Sequence, residues 1–91
     1  MSTTLPGARK LRVKFFASLR EALGAGYADV HTAATTVGQL RAELMARDAL
    51  HAECLRPDRA VRCAVNQVMG DESTALTDGA EVAFFPPVTG G

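Results

Sequence analysis

The sequence predicts an α+β protein in which a mixed sheet of four to five strands carries one main helix on one face. Two apolar runs near the ends of the chain, LRVKFF and EVAFF, alternate with the two-residue period of β-strands. Between them, a longer segment repeats apolar residues at helical spacing. The chain has 91 residues, which fits a single domain. Strands interrupted by one main helix are typical of the α+β class.

The first predicted strand covers residues 11–16, and its polar face ends on an aromatic residue. Alternation places Leu11, Val13 and Phe15 on one face, and Arg12, Lys14 and Phe16 on the other. A short helix is expected next, because Ser18 and Glu21 have the spacing of a capping box. Gly24 is placed to end that helix.

The middle of the chain predicts a second strand and then the main helix. Residues 27–32 have strand character. Thr36 and Gln39 form a second capping box, which predicts a helix over 37–48. The periodicity allows this helix to extend or to restart towards Leu55.

The last third of the chain predicts two hairpin-like turns and a final strand. The run AVRCAVNQVMG indicates two short strands around a turn at Asn66-Gln67, because Asn tolerates the left-handed conformation of such turns. TDG at 77–79 predicts a further turn. The strand at 81–85 places Val82 and Phe84 on one face and Ala83 and Phe85 on the other.

Composition and charge exclude several classes of function. Ten acidic residues balance ten basic ones, so the basic surface that nucleic-acid binding requires is not expected. No apolar run approaches the roughly 20 residues that span a bilayer. The first ten residues lack the apolar segment of a secretory signal. We therefore expect a cytoplasmic protein with no nucleic-acid or membrane partner and with a flexible extension over residues 1–10.

Internal catalytic signals are weak. The motifs GxGxxG, P-loop and HExxH do not occur, and His31 and His51 lack metal-ligand spacing with each other or with a cysteine. No metal site and no bound cofactor are expected. Cys63 suits a buried position in a strand, whereas Cys54 is compatible with an exposed thiol.

The C-terminus, EVAFFPPVTGG, is the most distinctive feature of the chain. Pro86 and Pro87 end the strand and favour a stiff, extended path. Gly90 and Gly91 lack side chains, so the end of the chain is thin enough to enter a narrow channel. We expect a folded domain over 11–86 and a flexible tail over 87–91, which reaches roughly 17 Å when extended.

Phe16 and Phe85 each end a predicted strand on the face away from the main helix. If the two strands are parallel neighbours, both rings lie beside the start of the tail, flanked by Arg12 and Lys14. Exposed aromatic residues with a basic rim are typical of protein interfaces. The alternative is that one ring folds over the edge of the sheet and stabilises the monomer.

With these features, the sequence resembles the small subunit of molybdopterin synthase. The resemblance rests on LRVKFFASLRE near the start, AVNQ at 64–67 and LTDGAEVAFFPPVTGG at the end. It covers residues 11–91 in order, is most specific at the terminus and leaves out the first ten residues. It implies the β-grasp fold, which is the fold of ubiquitin.

The resemblance also implies a function. In that family, the terminal glycine, here Gly91, is adenylated by an ATP-dependent adenylyltransferase and converted to a thiocarboxylate by a sulfur donor system. The tail then enters the large catalytic subunit, in an assembly of two copies of each subunit, and sulfur passes to cyclic pyranopterin monophosphate. Gly90 would give clearance in the channel, and the chain itself would bind no cofactor and supply no catalytic acid or base. The residues implied to contact the partner are Phe16, Phe85, Pro86, Pro87, Val88 and Thr89.

Two alternatives remain open from the sequence. One is a related sulfur carrier of thiamine biosynthesis or of another pathway, which would share the activation chemistry and differ in the acceptor. The other is a ubiquitin-like binding module whose tail has no chemical role. Tail-dependent sulfur transfer separates both carriers from the inert module.

Overall fold

The computed structural model describes residues 9–24 and 26–86, and these form a five-stranded mixed sheet with three helices. The α+β class and the mixed sheet are confirmed. Residues 1–8 of the predicted extension and the whole predicted tail lie outside the described residues. In chain order, the elements are β1 (Arg9–Phe15), α1 (Ala17–Leu23), β2 (Tyr27–Thr32), α2 (Val37–Met45), α3 (Ala49–Cys54), β3 (Arg62–Val65), β4 (Val68–Gly70) and β5 (Glu81–Phe85).

The first and last strands are parallel neighbours in the middle of the sheet. The strand order is β2-β1-β5-β3-β4, and the β1–β5 register runs from Arg12 opposite Glu81 to Phe15 opposite Phe84. The other neighbouring pairs are antiparallel. Because β1 and β5 point the same way, the residues that follow them, Phe16 and Pro86, leave the sheet at the same end.

The helices and one face of the sheet enclose the hydrophobic core. In β1, the predicted alternation holds, since Leu11, Val13 and Phe15 are buried. The Phe15 ring stacks on the Phe84 ring with centroids 6.1 Å apart. Fully burying a side chain of this size contributes about 1.5–3 kcal/mol, so these strand positions fix which face the helices cover. The buried residues of α2 are Val37, Leu40, Arg41 and Leu44.

The start of α1 differs from the prediction. Phe16 is the N-cap, and no side chain caps the helix, so the capping box expected at Ser18 is wrong. The chain stays extended at Phe16 (φ −123°, ψ 157°) and turns sharply at Ala17, where φ is 53°. A left-handed alanine costs about 1–2 kcal/mol, and because the helix begins at Ala17, Ser18 lies inside its first turn and not at the N-cap position. Gly24 ends the helix in the left-handed conformation, as predicted.

The two strand ends of β1 also differ from the prediction by one or two residues. The strand begins at Arg9 because Arg9 and Lys10 pair with Thr32 and His31 of β2. It ends at Phe15, so Phe16 lies just outside it. The Phe16 N–H nevertheless donates to the Phe84 carbonyl at 3.2 Å, which continues the ladder by one residue.

The predicted helix over 37–48 ends three residues early, and a separate helix follows it, which is the restart towards Leu55 that the periodicity allowed. It ends at Met45 and restarts at Ala49 because the Asp48 carboxylate caps the second helix through the His51 N–H. At the start of α2, the Thr36 hydroxyl accepts from the Gln39 N–H as predicted. The Gln39 side chain makes the second hydrogen bond of the capping box, but it accepts from the Thr35 N–H at 2.8 Å and not from the N–H of the N-cap residue Thr36.

Both predicted turns are present. Asn66 and Gln67 have φ of 51° and 68°, which is the conformation that joins β3 to β4. Gly79 has φ of 83° in the turn before β5. None of the described helices has the length and apolar character that a bilayer crossing requires.

A buried arginine joins the helices to the loop that precedes β3. The Arg41 guanidinium donates to the Leu55 carbonyl at 2.7 Å and to the Glu72 carboxylate at 2.8 Å. It also donates to the carbonyls of Arg56 and Arg59. These groups hold the segment between α3 and β3 against α2, because a buried guanidinium is tolerated only where its donors are satisfied.

Replacing this arginine should destabilise the fold. Arg41→Ala leaves three backbone carbonyls without their donor, so we expect a loss of about 3 kcal/mol in the free energy of unfolding. Arg47→Ala is the control, because Arg47 is exposed beyond the end of α2 and should change stability by less than about 0.5 kcal/mol. Urea denaturation measures both, and equal effects would contradict a structural role for Arg41.

The cap of α3 makes part of the stability depend on pH. A hydrogen bond from the His51 backbone N–H, with a further one to its ring, holds the pKa of Asp48 below its ordinary value. A depressed folded-state pKa stabilises the fold above the unfolded value of about 3.9. This contribution is lost as the pH falls through the folded value.

We therefore expect Asp48→Ala to be less stable than wild type at neutral pH, with a difference that shrinks as the pH falls below about 4. Asp48→Asn is the control, because asparagine caps helices without titrating. Urea denaturation across this pH range is the measurement. A wild-type advantage over Asp48→Ala that persists undiminished in acid would contradict the assignment.

Candidate functional site

The side chains of the sheet that point away from the helices form a second surface, here called the open face. It consists of alternate residues of the five strands: Lys10, Arg12, Lys14, Tyr27, Asp29, His31, Arg62, Ala64, Met69, Glu81, Ala83 and Phe85. No helix covers this face in the part of the chain that the structure describes. Tyr27 and Met69 are 58% and 57% exposed. The open face therefore presents apolar groups to solvent between charged ones.

Two ion pairs and one cation–π contact order the centre of the open face. Arg12 lies 3.4 Å from the Asp29 carboxylate, and its guanidinium lies 5.0 Å from the centroid of the Tyr27 ring. Lys14 pairs with Glu81 at 3.2 Å. These pairs cross from β2 through β1 to β5. Exposed pairs contribute little to stability, so their main effect is to fix side-chain positions across the face.

At the end of the sheet where the tail begins, three side chains form a row across β1, β5 and β3, here called the exit row. Phe16 is 46% exposed, and Phe85 is half-buried. Arg62 lies directly opposite Phe85 in the β3–β5 register. Phe16 follows β1, and Phe85 ends the parallel neighbour β5, so both aromatic residues lie at the end of the sheet where Pro86 begins the tail, the arrangement that the sequence analysis expected if the two strands are parallel neighbours. Their contact with a partner stays a prediction.

The tail begins where β5 can no longer pair. Pro86 is half-buried and follows the last strand residue directly. The remaining predicted site residues, namely Pro87, Val88, Thr89, Gly90 and Gly91, lie outside the described residues. Their roles stay predictions. What the structure fixes is the point of departure, at the centre of the sheet and beside the exit row.

Neither cysteine has the setting of a reactive thiol. Burial raises the pKa of the Cys63 thiol, and the nearby Asp71 and Glu72 carboxylates raise it further, so Cys63 is a poor nucleophile at neutral pH. Cys54 is buried with 4% exposure, and the expectation of an exposed thiol is wrong. Its side chain is enclosed because α3 restarts after Asp48 and turns this residue towards the core.

The placement of the histidines and acidic residues bears on whether the described part of the chain could hold a metal ion. Among the residues that the structure describes, no group of three or more His, Cys, Asp or Glu side chains could hold a metal ion. His31 is exposed on β2. His51 contacts the Phe15 ring edge-on, with centroids 6.2 Å apart, and its ring nitrogen lies 2.9 Å from Asp48. Its role is in the packing and capping of α3.

Three exposed members of the open face were missed by the sequence reasoning. Tyr27, Met69 and Arg62 lie on three different strands and share one face only through the sheet order. Strand alternation marks each of them as facing one side of its own strand. The face that they share depends on the pairing of β3 with β5 and of β1 with β2, which local patterns do not specify.

The strand order, the parallel central pair and the helices on one face define a β-grasp protein of the ubiquitin-like type. The solution structure of the Haloferax volcanii HVO 2177 protein has the same arrangement, with a TM-score of 0.81 at 30% identity over 100% of this chain and 94% of that one. The model of the ThiS family matches residues 13–91. The chain belongs to the ThiS family.

Two relatives of known function indicate which branch of the family this chain is similar to. The molybdopterin synthase sulfur carrier subunit of Escherichia coli (strain K12) is 43% identical over 81 residues, which are 89% of this chain and 99% of that protein. The complex of subunits 1 and 2 of molybdopterin-converting factor from Helicobacter pylori 26695 contains a similar chain. That chain has a TM-score of 0.58 at 27% identity, with 90% of this chain and 99% of that chain covered. The resemblance noted in the sequence is thereby confirmed.

The two adjacent phenylalanines of β5 should respond differently to truncation. Phe84 is 1% exposed in the core, so Phe84→Ala should cost about 3–5 kcal/mol of unfolding free energy. Phe85→Ala should cost about 1–2 kcal/mol, because part of its ring is already in water. Urea denaturation of both variants is the measurement. Equal losses would place Phe85 in the core and remove it from the exit row.

Proposed function

We propose that this chain is the sulfur carrier of a molybdopterin synthase, with Gly91 as the residue that bears the sulfur. An ATP-dependent adenylyltransferase adenylates the Gly91 carboxylate, and a sulfur donor system then replaces the adenylate to give a thiocarboxylate. The tail enters the large catalytic subunit, where the sulfur passes to cyclic pyranopterin monophosphate. The chain itself is non-catalytic and binds no cofactor, since ATP is used by the activating partner.

The observation that supports this proposal is the position from which the tail leaves the domain. The Gly-Gly end follows a strand in the middle of the sheet, and Pro86 ends that strand beside two aromatic residues of the open face. The similarity to the molybdopterin synthase sulfur carrier subunit of Escherichia coli supports the choice of pathway.

The chemistry of the tail follows from its composition. A carboxylate is a poor electrophile, so it must be converted to an acyl-adenylate before sulfur can be attached. The activating enzyme and the large subunit must both exclude water around this reactive end. Gly90 and Gly91 have no Cβ, which allows the backbone to pass through a narrow channel. In this proposal Pro87, Val88 and Thr89 are the spacer, because they lie in the sequence between the folded domain and Gly90-Gly91.

The open face is the surface that supports docking. It offers Phe16 and Phe85 next to the tail, with Tyr27 and Met69 further out, and aromatic residues of this kind are common anchors in interfaces. The complex of subunits 1 and 2 known for the Helicobacter pylori protein favours the large subunit as the partner. We propose an assembly with two copies of each subunit in the cytoplasm.

Deleting Gly91 tests the proposal. The deletion should leave the denaturation midpoint unchanged, because Gly91 follows the last strand by six residues. It should abolish molybdopterin formation in a reconstituted system of the activating enzyme, ATP, a sulfur donor and the large subunit. In the wild-type chain, incubation with the first three should add about 16 Da to the intact mass, because one terminal oxygen is replaced by sulfur.

A truncation at the other end of the chain is the matched control. Deleting residues 1–8 removes a segment outside the matched family region and should leave both activity and the mass shift intact. Molybdopterin formation by the Gly91 deletion would contradict the proposal. A mass shift without molybdopterin formation would favour a carrier for thiamine or another pathway, and no mass shift would favour an inert ubiquitin-like module.

A further inference from the structure

Arg62 is the unusual member of the exit row. It is exposed at the start of β3, and its side chain forms no hydrogen bond or ion pair with the residues that the structure describes. By contrast, Arg12 and Lys14 on the same face both have acidic partners. An arginine without a polar partner among the described residues contributes no evident electrostatic stabilisation to the fold.

The position of Arg62 relative to the aromatic residues is fixed by backbone pairing. Arg62 is the direct cross-strand partner of Phe85, and side chains in such pairs have Cβ atoms about 4.5–5.5 Å apart. Phe16 follows β1 on the other side of Phe85. Arg62, Phe85 and Phe16 are therefore neighbours in the backbone order at the end of the sheet where the tail begins.

The charge of the open face is unbalanced even though the chain is neutral. The whole chain carries ten basic and ten acidic residues. The open face has four basic residues and two acidic ones, namely Lys10, Arg12, Lys14 and Arg62 against Asp29 and Glu81. Since each acid already pairs with a cation, Lys10 and Arg62 supply the excess. Lys10 lies at the far end of β1, so Arg62 is the unpaired cation of the exit row.

We propose that Arg62 is a specificity-determining contact of the open face and pairs with a carboxylate that the large subunit presents beside its socket for Phe16 and Phe85. This inference rests on the proposed function. A surface that covers Phe85 also removes water from its cross-strand neighbour Arg62. An unpaired cation in such an interface is strongly unfavourable. A carboxylate satisfies the planar guanidinium fork through two parallel hydrogen bonds.

The pair between Arg62 and the partner carboxylate would also fix the orientation of the domain on the large subunit, which the apolar contact alone does not. Two aromatic rings alone can pack in more than one way, whereas a guanidinium–carboxylate pair permits a narrow range of geometries. Correct rotation of the domain on its partner decides whether the tail meets the channel entrance. The charge also steers encounter, so association with the large subunit should weaken as salt rises.

Charge reversal at Arg62 tests the inference. The full-length chain and the large subunit from the same organism are titrated calorimetrically at about 50 mM and about 300 mM salt, where screening differs strongly. Arg62→Glu should weaken binding by about tenfold or more at low salt and should reduce the salt dependence. Arg62→Lys should retain the salt dependence and recover part of the affinity, since it keeps the charge but loses the fork.

Two control variants make the result specific. Arg47→Glu changes the net charge equally but lies beyond the end of α2 on the helical side, and it should bind like wild type. Phe85→Ala should weaken binding at both salt concentrations alike, because its contact is apolar. Denaturation midpoints verify that each variant is folded.

The outcomes separate this inference from the proposed function. Wild-type affinity in Arg62→Glu, or an equal loss in Arg62→Glu and Arg47→Glu, would overturn the role of Arg62 while leaving the sulfur-carrier function in place. Failure of the wild-type chain to bind the large subunit would overturn the proposed function, and the inference with it. A selective, salt-dependent loss in Arg62→Glu supports both.

Discussion

The parallel pairing of β1 with β5 is the constraint on which the rest of the structure depends. Four register pairs, from Arg12–Glu81 to Phe15–Phe84, hold the first and last strands side by side in the centre of the sheet. A parallel pair requires a long crossover connection, and α1, β2, the other helices and the β3–β4 hairpin all lie within it. The pairing also places Phe16 and Pro86 at the same end of the sheet, which creates the candidate site.

The two faces of the sheet have different roles: the covered face stabilises the fold, and the open face is available for recognition. The covered face contains the stacked Phe15 and Phe84 rings and the side chains of α2. The open face has its charges ordered in exposed pairs, which contribute little to folding. Substitutions on the open face can therefore change a partner surface without unfolding the domain. Ala83 is an exception. Its side chain points to the open face, but it is only 8% exposed because β5 is a central strand.

The helical side is held by polar contacts as well as by apolar packing. Arg41 donates hydrogen bonds to backbone carbonyls of the segment between α3 and β3. Arg62 follows this segment as the first residue of β3. On this side, a groove of about 320 Å³ between Leu19, Cys54, Val61 and Pro86 adjoins the start of the tail. The position of β3 beside β5, and with it the exit row, thus depends on the buried guanidinium of Arg41, which belongs to α2 and is distant in sequence from both strands.

The sequence by itself determined the strands, their faces, the two turns and the terminal Gly-Gly, because each follows from short-range periodicity or from the conformational limits of Pro, Gly and Asn. It also indicated the adjacency of Phe16 and Phe85, conditional on parallel pairing. Only the tertiary structure decided the start of α1 after Phe16, the burial of Cys54 and the place of Arg62. These depend on which distant backbone atoms meet, and pairing across the sheet sets that through contacts that no local pattern encodes.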